Sequence, residues 1–131
     1  MDSTPESDVA FCLRYLRVME ERDLATARTM LDPDFRMVFP GDKRMTELDA
    51  LVQNSASRYR FVKKTFDETD SGTDRHGRPV VIISGTLYGE WPDGTPFSGI
   101  RYCDRFVLKD GRLLEQHVWN DLGEALRAAG R

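Results

Sequence analysis

Cysteine and histidine are scarce in this chain, which carries two of each: Cys12, Cys103, His76 and His117. Neither cysteine sits in a CxxC or other zinc-ligand spacing, so reduced structural thiols are expected. His76 lies among turn residues, far in sequence from His117, and the pair does not suggest a metal site. GxxxxGK, GxGxxG, HExxH and GxSxG are all missing, so neither a metal nor a nucleotide cofactor is expected. No apolar run approaches the roughly 18 residues of a membrane span. The opening residues, Met1 to Asp8, are acidic and polar where an export signal needs a basic patch and then an apolar stretch, so a cytoplasmic location is expected. An excess of positive charge is also lacking: 19 Lys and Arg stand against 22 Asp and Glu, a formal net charge of −3. Such a field does not favour nucleic acid or anionic lipid. The densest basic stretch, Arg58, Arg60, Lys63 and Lys64, reads as a solvated face.

What is present suits one folded unit. With 131 residues, 40% of them hydrophobic, the chain is long enough for a real core and too short for two, so a single domain over 1–131 is expected. Thr4-Pro5-Glu6 reads as a helix start, with a hydroxyl cap and proline at the first helical position. Val9, Cys12, Leu13, Leu16 and Met19 then recur at helical spacing to about Arg22, with Tyr15 flanking the stripe. Asp23 caps a short second helix that must end ahead of Asp32-Pro33. Phe35 to Phe39 alternates as a strand with Phe35, Met37 and Phe39 on one face. Thr46 to Asp49 resembles a capping box for a third helix running to about Tyr59. From Arg60 to about Thr69 a less regular strand is expected, and from Asp70 to Pro79 a loop. Val80 to Trp91 reads as a long strand whose Gly85 and Gly89 mark a bulge, a bend or a close approach. Pro92-Asp93-Gly94 turns it into the next strand, and Asp121 to Arg131 reads as a helical turn. The order gives an α+β fold: a curved antiparallel sheet forming a cone packed against three N-terminal helices.

The most informative stretch runs from Phe97 to Asn120. Asp110-Gly111 supplies the two positive φ angles of a type I′ hairpin turn. Counting back from a two-residue turn pairs Leu108 with Leu113, Phe106 with Glu115, Asp104 with His117 and Tyr102 with Trp119, all on one face. A carboxylate and an imidazole set side by side among aromatic rings can orient one another for general acid/base work. Arg101, Cys103, Arg105 and Val107 fall on the opposite face. The expected catalytic pair is Asp104 and His117, and Tyr15, flanking the stripe of the first helix, can point its hydroxyl into a cavity beneath it. The expected pocket walls are Met37, Phe39, Trp91, Tyr102, Phe106 and Trp119, with Glu115 a further polar candidate. Binding without turnover, or an Asp104–His117 pair that merely fixes strand register, stand as the other readings.

The helix-helix-strand-helix-strands order, the DPDF segment at Asp32 to Phe35 and the GIRYCDRFVLKDGRLLEQHVWND stretch resemble the nuclear transport factor 2-like superfamily, especially its SnoaL-like branch. That resemblance, over about Val9 to Leu122, implies a cone closed by helices around one internal pocket. Its activities include isomerases, dehydratases, polyketide cyclases and epoxide hydrolases, beside members without catalysis, so the fold does not choose among them. By resemblance to ketosteroid isomerase, Tyr15 and Asp104 match an oxyanion hole, while the position of that enzyme's catalytic base falls on Phe39 before Pro40. Steroid isomerisation is therefore not expected. SnoaL-type cyclases use aspartate and histidine in the pocket, which Asp104 and His117 match. The Asp-Arg-Asp set of limonene epoxide hydrolase is not matched, since Arg101 faces away from Asp104. The implied function is a cofactor-free acid/base enzyme of isomerase, dehydratase or cyclase type acting on a small hydrophobic carbonyl or cyclic molecule. The implied assembly is a homodimer through the convex sheet face, covering Cys103, Val107, Leu114 and Val118.

Overall fold

The structure, a computed structural model, describes residues 6–130. Helix α1 spans Asp8–Glu20, and its N-cap is Ser7, whose Oγ accepts from the Ala10 amide at 3.1 Å. The expected start at Thr4-Pro5 lies outside the described residues. Cys12, Tyr15, Leu16 and Met19 form the buried face of α1. Asp23 caps α2 (Leu24–Thr29) by accepting from the Thr26 amide, as its position ahead of an apolar turn predicts. Strand β1 (Leu31–Phe39) begins earlier than expected, carrying Asp32-Pro33 within it. It folds back through Gly41 and Asp42, both at positive φ, into β2 (Lys43–Met45), a short strand with no alternating signal of its own. Helix α3 (Leu48–Ala56) is capped at Glu47 without a side-chain hydrogen bond, so the Thr46 capping box does not form.

The remaining chain is mostly sheet: β3 (Phe61–Lys64), β4 (Glu68–Thr73), β5 (Pro79–Glu90), β6 (Pro96–Lys109) and β7 (Arg112–Asn120), then α4 (Leu122–Ala128). The segment expected as a loop from Asp70 is paired as far as Thr73 along β5, leaving a turn in which Asp74 Oδ1 accepts from the His76 and Arg78 amides. The strand order is β2-β1-β7-β6-β5-β3, with β4 also on β5. Contrary to a wholly antiparallel sheet, β1 runs parallel to β7, which places Met37 beside Gln116 and Val38 beside His117. The sheet curls strongly, and two glycines let it. A Cβ on Gly85 would lie 2.3 Å from the Thr65 carbonyl oxygen, and one on Gly89 would lie 2.1 Å from that of Phe61. The core fills the concavity, with Tyr15, Met37, Ile83, Phe106, Leu108 and Leu113 fully buried. Each such side chain contributes about 1.5–3 kcal/mol by leaving water. Among the described residues, no helix is long and apolar enough to cross a membrane.

The β6–β7 hairpin corrects the expected register. Asp110 and Gly111 have φ of 51° and 77°, and Lys109 faces Arg112 and Leu108 faces Leu113, as counting back from the turn predicts. Beyond that point Leu114 is an extra residue on β7, a β-bulge, and Val107 faces Glu115. One inserted residue shifts every later partner by one and turns the side chains to the other face. Asp104 therefore faces Val118, Phe106 faces Gln116 and Tyr102 faces Asn120, while His117 opposes Arg105 and Trp119 opposes Cys103.

Candidate active site

The bulge decides which side chains meet inside the curl. Asp104 and Gln116 are the polar residues buried in the described chain, with 0% and 3% exposure, and both lie on the concave face. Strand β3 brings a third group. Its alternation turns Phe61 and Lys63 to solvent and Val62 and Lys64 inward, and Glu20 at the end of α1 fixes the strand by accepting from the Lys64 amide at 2.8 Å. The Lys64 ammonium donates to Asp104 Oδ2 at 2.5 Å and lies 4.6 Å from the centre of the Tyr102 ring, a cation–π contact. Tyr102 in turn donates its hydroxyl to the Thr65 carbonyl at 2.6 Å.

Three buried polar atoms here have no partner among the described residues: the Tyr15 hydroxyl, Asp104 Oδ1 and Gln116 Oε1. Tyr15 is fixed edge-on between Phe35 and Phe106, with ring centroids 6.5 and 6.0 Å away. Burial, and then the charge of Asp104, raise its phenol well above the usual tyrosine range, so it stays protonated and able to donate. Burial does the same to Tyr102, with Asp104 adding to it. The polar cluster closes the inner end of a cavity of about 120 Å³ whose walls include Leu16, Met19, Phe39, Leu51 and Val118. Tyr15, Lys64, Tyr102 and Gln116 face this space, and Asp104 sits behind Lys64.

Of the residues singled out in the sequence, Tyr15, Tyr102 and Phe39 line the cavity. Met37 and Phe106 are packed solid in the core. Trp91 is buried elsewhere, stacked on Tyr59 and on Phe97 with centroids 6.0 and 4.3 Å apart. The Asp104–His117 dyad does not form. His117 lies on the convex face beside Trp119, which is 54% exposed, and Glu115 pairs there with Arg36. The cause in all three is the single residue added at Leu114. Arg101 and Arg105 lie on the convex face as expected, Arg101 paired with Asp121. Lys64 and Gln116 are the polar groups that sequence reasoning missed. The signal for Lys64 was its place two residues from Val62, at strand spacing, with Phe61 on the other face.

A curled sheet packed against helices around an apolar cavity with a buried polar end defines a cone-shaped α+β class. Within it, the family model for the SnoaL-like domain matches residues 13–116, and the chain belongs to that family. Solved structures agree on the fold. An NTF2-like protein of unknown function from Burkholderia pseudomallei superposes with a TM-score of 0.75 at 16% identity, over 89% of this chain and 92% of its own. A protein of ketosteroid isomerase-like fold from Catenulispora acidiphila, in complex with trimethylamine, gives 0.74 at 15% identity, over 98% and 95%. A putative SnoaL-like polyketide cyclase from Jannaschia gives 0.65 at 15% identity, over 96% of each chain. No curated protein matches the chain.

Proposed function

We propose that this protein is a cofactor-free acid/base catalyst that enolises a small hydrophobic carbonyl compound, as the first step of an isomerisation, dehydration or cyclisation. The observation that carries the reading is Lys64, which lines an apolar cavity and pairs behind it with Asp104, near a tyrosine hydroxyl, a carboxylate oxygen and an amide oxygen that lack partners among the described residues. Leaving such atoms buried and unpaired costs about 1–3 kcal/mol each, which a protein recovers when a ligand or water engages them. Asp104 takes one proton from the Lys64 ammonium, and the amine so freed accepts the proton leaving the carbon beside the carbonyl, so that the C–H bond breaks, an N–H bond forms and Asp104 ends as the carboxylic acid. The oxygen that gains the charge accepts a hydrogen bond from Tyr15 and faces the lysine. In this scheme Asp104 and Tyr15 keep the roles expected of them, and Lys64 stands in place of His117.

Enolisation is testable without knowing the product. In deuterated water the protein is expected to exchange the α-hydrogens of small cyclic ketones, followed by proton NMR, with the rate falling about 10²–10⁴-fold in Lys64→Met and in Asp104→Asn. His117→Ala, which alters only the convex face, is expected to exchange at the parent rate. Exchange unaffected by the first two substitutions sinks the mechanism. A ligand that binds yet never exchanges supports the second reading, a binding module, which the apolar Phe39 ahead of Pro40 favours.

The convex face supports a homodimer, with a changed membership. Val118 points inward and Val107 and Leu114 are already covered, whereas Trp119 is exposed opposite the half-buried Cys103 and beside His117. Sedimentation at micromolar concentration is expected to give a dimer that Trp119→Glu converts to monomer. A parent protein that sediments only as monomer contradicts this assembly.

A further inference from the structure

Two arginines besides Lys64 line the cavity, on a chain whose formal net charge is −3. Arg58, just past α3, and Arg22, just past α1, both contribute to its rim. Arg58 is half-buried where it lines the cavity. The carboxylate nearest in the lining, Glu20, is already engaged by Arg17 and by the Lys64 amide. Rim residue Asn54 accepts from Lys43 at 2.5 Å, which adds a further cation at this edge.

Arg22 is the more telling of the two. Its φ is +59°, the left-handed conformation in which a helix end favours glycine or asparagine. That conformation closes α1, with the Asp23 amide donating to the Val18 carbonyl at 3.2 Å, and it leaves the Arg22 side chain against the cavity. Its guanidinium donates to the Met19 carbonyl at 2.7 Å and to Ser55 Oγ at 3.3 Å, which commits two of five N–H donors. The rest are available to a group of opposite charge, and a guanidinium fork fits a carboxylate. Size adds a limit: a cavity of about 150 Å³ is enough for benzene, and this one holds about 120 Å³.

We infer that the ligand of this site is a small oxo acid. Its single ring or short chain fills the cavity, its carbonyl faces Lys64 and Tyr15, and its carboxylate is held at the rim by Arg58 and Arg22. The inference rests on the proposed reading that the cavity takes a small carbonyl compound, and adds the charge and size of that compound.

Matched one-ring probes separate the two ideas: 3-phenylpropanoate, its methyl ester and 3-phenylpropylamine, each titrated calorimetrically into the whole protein. The carboxylate is expected to bind about tenfold more tightly than the ester at low salt, a preference that shrinks as salt screens it. Arg58→Gln and Arg22→Gly are each expected to cut that preference severalfold with little effect on the ester. Glycine suits the positive φ at position 22, so the second variant reports even if the first folds poorly. Equal binding of acid and ester, tightest binding of the amine, or a preference that survives in the double variant overturns the oxo-acid assignment while leaving the cavity reading in place. Binding of none of the three overturns both.

Discussion

Replacing Lys64 by methionine will destabilise the protein by about 3–5 kcal/mol, seen as a fall of roughly 10–20 °C in melting temperature. The substitution keeps the apolar stem and removes the ammonium. Among the described residues Asp104, at 0% exposure, is then left with neither oxygen partnered, because Oδ1 already lacks a partner there and Lys64 supplies the bond to Oδ2. Removing the other half of the pair is expected to cost less. The Lys64 side chain is 18% exposed and borders the cavity, so in Asp104→Ala the ammonium can turn toward water, and a loss of about 1–3 kcal/mol is expected. The double variant Lys64→Met with Asp104→Leu should recover most of the loss while abolishing α-hydrogen exchange. That combination separates a pair kept for chemistry from one kept for stability. If the double variant is no more stable than Lys64→Met alone, the stranded charge is not what the single substitution costs.

The way this pair escaped the sequence reading shows where local rules stop. The Asp110-Gly111 turn, the strands that flank it and the burial of Asp104 all follow from turn chemistry and alternation, because the causes lie within a few residues. Register two turns of the strand away does not. The bulged residue is Leu114, flanked by Leu113, and an apolar pair of equal character carries no mark of which one leaves the ladder. A glycine or polar residue at the bulge would have given the parity away. Without it His117 and Trp119 counted inward and Gln116 and Val118 outward, and each lies on the other side. Lys64 was hidden differently. Its neighbours Arg58, Arg60 and Lys63 made a solvated basic face the simplest reading, and only the distant carboxylate of Asp104, forty residues on, turns that one lysine into a buried partner. The helices, whose signals are periodic and local, were legible to within a few residues. The short β2 strand and the parallel β1–β7 pairing, which depend on tertiary contact, were not.

Gly89→Ala, a change of one methyl group, is expected to cost about 2–4 kcal/mol, and Gly85→Ala a similar amount together with most of the activity. Overpacking in a core is usually relieved by a side chain swinging away, but here the obstacles are main-chain carbonyls, those of Phe61 at 2.1 Å and Thr65 at 2.3 Å. Relief at Gly89 must therefore move β3 off β5, where Phe61 and Val62 pair with Glu90 and Gly89 and the Arg60 amide donates to the Glu90 carbonyl. Relief at Gly85 must displace Thr65, and that residue is part of the site's support. Its carbonyl accepts the Tyr102 hydroxyl, its Oγ1 accepts from the Thr86 amide, and it directly follows Lys64. A backbone shift of even a few tenths of an ångström there is passed to the lysine that faces Asp104. Gly72 in β4 provides the control, since a Cβ at that position meets nothing within 4 Å and its φ is not positive. Gly72→Ala is expected to leave stability within about 0.5 kcal/mol of the parent and activity unchanged. Denaturant unfolding of the three variants, read beside α-hydrogen exchange, tests the ordering. If Gly85→Ala unfolds and exchanges like Gly72→Ala, the close crossing of Thr65 over the bent strand does not hold Lys64 in place.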